Sequence, residues 1–191
     1  MALSDAERET LLRLARRAIE DAVGGKPAAD AGHDAAHTTP ALRERRGVFV
    51  TLKEPRKVRG VTRECLRGCV GRLETDRSLV DSVVTLAVAA ALQDPRFPPL
   101  TASELPEVRI SVSVLTPMRP SDADAIILGR HGVQLVQGSY TSVFLPQVAV
   151  EQGWSVERLL AQLAIKAGLP EQAWRDASLS TFEAEAFAEP L

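Results

Sequence analysis

The sequence predicts an α+β fold, a mainly antiparallel sheet packed with helices and joined by a second small subdomain. Three observations carry this. Several runs alternate apolar and polar residues with a period of two, stretches with a helical period fall irregularly between them, and the 191 residues show no internal repeat and no strict strand–helix alternation.

The first element is a helix over Ser4 to Ala22. Ser4 and Glu7 have capping-box spacing, Leu11, Leu14, Ala15, Ala18 and Ala22 recur every three or four residues, and Gly24-Gly25 ends the run. From Lys26 to Pro40 the apolar period is lost, so residues 26–40 read as a surface loop. In "GVFVTLK", Val48, Val50 and Leu52 share one face and Phe49 and Thr51 the other, as in a half-buried strand. "EPRKVRGVTRE" reads as a charged connection, and Leu66 to Leu73, "LRGCVGRL", as the returning strand of a long hairpin.

Ser78 to Gln93 is apolar almost all round and must be covered on most sides, making it the central helix; Asp94-Pro95 ends it. "VRISVSVL" turns Val108, Ile110, Val112 and Val114 inward as a strand. "AIILG", "VQLVQ" and "YTSVFL", between Ala125 and Leu145, read as a three-stranded meander, which with the first helix would form the second subdomain. Trp154-Ser155 opens a helix closed by Gly168 and Pro170, and "SLSTFEAEAFAE" is a final strand returning to the sheet.

Charge and composition narrow the function. The net charge is -2, but Arg43 to Arg67 holds nine Lys or Arg against three Glu, a local +6 that leaves -8 elsewhere. With aromatics at 4% there is no stacking platform, so no nucleic-acid partner is expected. No run approaches the ~18 apolar residues of a membrane helix and "MALSDAERET" is acidic, so the expected location is cytoplasmic and no membrane partner is expected. Cys65 and Cys69, on an extended strand, have Cα atoms roughly 13 Å apart, beyond the ~7 Å of a disulfide, and both thiols are expected to be free.

The chemistry concentrates around Cys69. On a regular strand Arg67, Cys69 and Gly71 share a face, placing a guanidinium beside a thiol, and cations raise thiolate character. Gly68 and Gly71 either let a ligand approach or accommodate a tightly packed helix or a bulge. His33 and His37 have metal-pair spacing but lie in the 26–40 loop, and His131 sits at a turn, so no metal site is assigned. "QDPRFPPLT" follows the central helix, with Asp94 and Arg96 placed to brace it and Phe97 to plug the core, and "FLPQV" ends a strand at Pro146 and Gln147. No GxGxxG, Walker, HExxH, GxSxG or CxxC pattern occurs, and no cofactor is assigned.

"GVFVTL", "LRGCVG", "DPRFPPLT" with "VSVL", and "FLPQV" followed by "GW", in this order, resemble the AMMECR-type domain, whose prokaryotic members are called AmmeMemoRadiSam system protein A. The resemblance is densest over residues 47–187 and makes the whole of 1–191 a single AMMECR-like domain of two intertwined subdomains. It implies an intracellular protein often encoded beside a Memo-like protein and a radical S-adenosylmethionine protein, which become candidate partners. It marks Arg67, Gly68, Cys69, Gly71, Asp94, Arg96, Phe97, Pro146 and Gln147 as motif residues and assigns none a role. Two readings stay open: a partner module acting through the face of Arg67 and Cys69, and a thiol-dependent enzyme in which Cys69 attacks a small anionic or acyl substrate steered by Arg67.

Overall fold

The computed structural model describes residues 2–26, 39–58 and 60–190; His33, His37 and most of the expected 26–40 loop lie outside them. The fold is α+β with antiparallel strand pairs, in two units: Met1–Val114 with Glu185–Leu191, and Leu115–Ala184. Among the described residues, no helix is long and apolar enough to cross a membrane.

In the first unit, α1 (Asp5–Val23) starts at the capping box the sequence announced. Ser4 Oγ accepts from the Glu7 N–H at 3.3 Å, and the Glu7 carboxylate accepts from the Ser4 N–H at 2.8 Å. A short α2 (Pro40–Arg43), which has no periodic signature, precedes β1 (Val48–Val58) and β2 (Val61–Arg72). These two strands pair antiparallel, turning at Gly60, whose φ of 81° suits a residue without Cβ. The hairpin is longer than expected, because the charged "EPRKVRGVTRE" segment is itself paired, Pro55 opposite Glu64 and Arg56 opposite Arg63. Backbone pairing needs no apolar side chains, and on this exposed stretch the usual apolar sign of a strand is absent.

The central helix α3 (Leu79–Leu92), capped by Ser78, packs against α1, β1 and β2. β3 (Arg109–Leu115) pairs with β1, so Val48, Val50 and Leu52 stand beside Val114, Val112 and Ile110 in register, all fully buried in one core with α1 and α3. On the far side of β3, the Glu189 N–H donates to the Ile110 carbonyl at 3.0 Å.

In the second unit, a two-residue β4 (Arg119–Pro120) pairs with the part of β7 (Ser178–Ala188) that precedes Glu185, which also pairs with β5 (His131–Gln137); β5 pairs in turn with β6 (Tyr140–Phe144). "AIILG" is not a strand: it forms a turn in which the His131 N–H donates to the Ile127 carbonyl at 2.9 Å. α4 (Pro146–Glu151) and α5 (Val156–Lys166) complete the unit, burying Ala149, Leu159, Leu160, Leu163 and Ala164 with Val133 and Leu135. The first helix, expected to join the meander, belongs instead to the first unit.

Candidate functional site

The register of the hairpin changes at Arg67. Leu52 lies opposite Gly68 and Lys53 opposite Leu66, so Arg67 is the extra residue of a β-bulge. A bulge breaks the alternation of faces, which corrects the expectation that Arg67 lies beside Cys69. The guanidinium is instead 3% exposed and bound to Glu104 at 2.8 and 3.2 Å and to the carbonyls of Pro98 and Pro99 at 3.0 and 3.4 Å. Glu104, which also accepts from the Thr101 N–H and hydroxyl, is pulled down to about 2, mainly by Arg67 against the opposing effect of burial. Arg67 thus fastens the Pro98–Glu104 segment to β2.

Cys69 resumes the regular register opposite Thr51. Among the described residues β2 ends the strand order and one edge of it is unpaired, and at Cys69 that edge is occupied by side chains. Asp94 accepts the Cys69 N–H at 2.8 Å, and Arg96 donates to the Cys69 carbonyl at 3.1 Å. The two side chains replace the hydrogen bonds of a missing neighbouring strand. With the backbone polar groups of Cys69 directed to the edge, Thr51 and Cys69 form a close, non-hydrogen-bonded pair, and the Thr51 hydroxyl meets the thiol at 3.2 Å.

Asp94 is 5% exposed and holds Arg96 through the Arg96 N–H at 3.1 Å and the guanidinium at 2.7 and 2.9 Å. The Arg96 side chain, opposed by burial and helped by the Cys69 and Arg96 N–H groups, keeps the carboxyl far below the usual range. Arg96 is in turn held above its ordinary value, first by the Asp94 hydrogen bond and to a smaller extent by Cys69. The cation coupled to Cys69 is therefore Arg96, whose side chain is 55% exposed and lies 5.6 Å from the Phe97 ring centroid. Phe97 is only half-buried, so its expected role as a core plug is replaced by one as a platform for Arg96.

Both motif glycines are occupied by the protein itself. A Cβ at Gly68 would fall 2.1 Å from the Ala90 carbonyl oxygen of α3, and one at Gly71 would fall 2.1 Å from the Phe49 ring. The space that might have admitted a ligand is filled by a helix on one face and an aromatic ring on the other. Both cysteines are free.

Seven of the marked residues, Arg67, Gly68, Cys69, Gly71, Asp94, Arg96 and Phe97, lie in the first unit. Pro146 and Gln147 lie in the second, where buried Pro146 opens α4 and Gln147 is exposed. His131 is also in the second unit, and its Nδ1 accepts from the Ile127 N–H at 3.1 Å. Among the described residues, no group of three or more His, Cys, Asp or Glu is arranged to hold a metal. Sequence reasoning missed Thr51 and Glu104. Aligning "FVTL" against "RGCVG" in a hairpin register could have found Thr51; Glu104, 37 residues from Arg67, has no local signature.

The AMMECR1 family profile matches residues 12–187. A protein of Thermofilum pendens is 41% identical over 199 residues, covering 98% of this chain and 92% of its own length. One from Thermococcus gammatolerans is 40% identical over 195 residues, covering 98% and 92%. The crystal structure of the uncharacterized protein PH0010 from Pyrococcus horikoshii superposes with a TM-score of 0.78 at 39% identity, covering 95% of this chain and 91% of that one. In sequence across nearly its full length and in fold, this chain belongs to the AMMECR1 family.

Proposed function

We propose that the protein is an accessory module that works with a Memo-like protein and a radical S-adenosylmethionine protein through the face carrying Cys69. Arg67 acts from behind this face rather than on it, and Arg96 takes its place as the presented cation. The observation that carries the reading is the clamp at Cys69: buried Asp94 fixes Arg96 while leaving that guanidinium more than half exposed. Exposed Pro95, Pro98 and Pro99 lie close to it in sequence. A pre-oriented arginine in a proline-stiffened segment loses little freedom on docking, which favours a contact centred on it. The choice of partners rests on the family resemblance.

The test mixes the purified protein with the Memo-like and radical S-adenosylmethionine proteins of the same genome and measures binding. Arg96→Glu should weaken the complex by about tenfold or more, while Cys69→Ser should stay within about twofold. Absence of a complex with either protein sinks the reading.

A thiol-dependent enzyme is the second reading, favoured by the coupling of Arg96 to Cys69. It expects Arg96→Gln to slow alkylation of Cys69 by iodoacetamide about threefold or more, measured by mass spectrometry. Alkylation that ignores this substitution removes its support.

A further inference from the structure

A cavity of about 200 Å³ opens in the first unit between the end of β2, the loop that follows it and the first two turns of α3. Two arginines reach it from different elements. Arg72, opposite Val48, shares a strand face with Val70 and Gly68, and Gly68 lies against the Ala90 carbonyl of α3. From that contact β2 runs four residues, about 13 Å, to Arg72, while α3 runs back eight residues, about 12 Å, to Ser82. The helix stripe of Ala90, Leu86 and Ser82 thus follows β2, and Arg72 comes out at the Ser82 turn. Arg77 arrives from the loop, where its guanidinium donates to Thr85 Oγ1 at 3.3 Å.

Donors at this cavity exceed acceptors. Among the described residues the Arg72 guanidinium has no hydrogen bond, and neither arginine has an ion pair. The Thr85 hydroxyl accepts from Arg77 and keeps its own hydrogen to give. Ser82, 3% exposed, shares a hydrogen bond with Thr75 at 3.1 Å, and Thr75 Oγ1 also accepts from the Arg77 N–H at 3.1 Å, which ties the loop to the helix. Asp76 is the one carboxylate in the lining and pairs with neither arginine, so one positive charge is left in excess. The helix end itself is already occupied: the Leu79 N–H donates to the Glu44 carbonyl at 2.8 Å and the Asp81 N–H to Ser78 Oγ at 3.2 Å.

We infer that this cavity binds a phosphate group, free or carried on a small molecule. The two guanidinium groups match its charge and its several oxygens, and Thr85 donates to a further oxygen. Asp76 accepts from a protonated phosphate oxygen or from a hydroxyl of the ligand. The cavity is smaller than the ~300–1,000 Å³ of drug-sized ligand sites, which leaves room for the phosphate and a short carbon chain. Neither Cys69 nor Arg96 lines it, so the inference goes beyond the docking reading and does not depend on it.

The test titrates the 15N-labelled protein, without any partner, with inorganic phosphate and with glycerol 3-phosphate at constant ionic strength, using sodium chloride as the control for charge screening. Saturable shifts are expected at the amides of Arg77, Ser82 and Thr85, with a dissociation constant on the order of millimolar or tighter for at least one probe. Equal or tighter binding of inorganic phosphate would identify the free anion as the ligand, and an ester bound about threefold or more tightly would identify a carried phosphate. The Arg72→Gln/Arg77→Gln double variant should lose about tenfold or more in affinity, with its spectrum unchanged away from the cavity. Both substituted side chains are exposed, and Thr85→Val, on the exposed side of α3, should lose about threefold on its own. The inference is overturned if neither probe causes saturable shifts at these amides up to about 10 mM, if chloride produces the same shifts, or if the double variant binds unchanged.

Discussion

Gly68 and Gly71 flank the same cysteine but differ in what they protect. At Gly68 the obstacle is the carbonyl oxygen of Ala90, part of the helix backbone, whereas at Gly71 it is the ring of half-buried Phe49, a side chain with rotamers available to it. A helix backbone cannot step aside without disturbing its own hydrogen bonds. Gly68→Ala is therefore expected to cost about 3 kcal/mol or more, and Gly71→Ala about 1–2 kcal/mol. Urea denaturation of the two variants would measure this, and a Gly71 cost equal to or larger than the Gly68 cost would show that the clash with α3 is relieved by movement. At this scale the sequence was partly legible. "RGCVG" announced an unusual site, and the alternatives left open for the glycines included the packed helix that occupies Gly68. The orientation of Arg67 was hidden, because a bulge is a property of strand pairing and not of the residue that bulges.

The elements that the sequence disclosed are those whose partners impose a period. α1, α3 and α5 each bury a stripe, and β1 and β3 each bury alternate residues, so packing leaves its mark on the chain. α2, β4 and α4 are too short to complete a period, and the outer hairpin buries too little to show one. "AIILG" erred in the other direction: Ile126 is buried, Leu128 packs partly buried against the same core and Ile127 is exposed, so an apolar run that reads as a strand is a turn. α3 is the strongest case, since Leu79, Val83 and Ala90 on one stripe and Val80, Val84, Ala87 and Ala91 beside it are all buried, together with Leu86. Leu86 is 5% exposed, so Leu86→Ala leaves a cavity and should lower stability by about 2–5 kcal/mol. A loss under about 0.5 kcal/mol in chemical denaturation would mean that this side of α3 is not part of the core.

Across the molecule, carboxylates join parts of the first unit that are distant in sequence. Glu104 meets Arg67, Asp94 meets Cys69, Glu185 meets Arg8 and the Leu3 N–H, and Glu189 meets Arg16 and the Ile110 N–H. The α+β class followed from local periods, but these long-range links left no trace in the sequence and had to be found in the fold. They also tie folding to pH. Glu104 titrates at about 2 in the folded protein against an ordinary 4.5, and Asp94 is shifted in the same direction. A carboxyl that is lowered on folding binds fewer protons in the native state than in the unfolded one. Its contribution is complete above its unfolded value and disappears as the pH falls through its folded value. For Glu104 the loss therefore runs from about pH 4.5 down to about 2. Glu104→Gln keeps a side chain able to accept from Arg67 but removes the charge. At pH 7 it should be less stable than the wild type by on the order of 2 kcal/mol, below the full linkage value because Glu104 is 30% exposed and partly screened by solvent. As the medium is acidified the wild type should lose stability faster than the variant, and the two curves should converge near pH 2. Urea unfolding at a series of pH values would follow both proteins, and curves that remain parallel from pH 7 to 2 would show that the Arg67–Glu104 charge pair contributes nothing to the acid sensitivity of the fold.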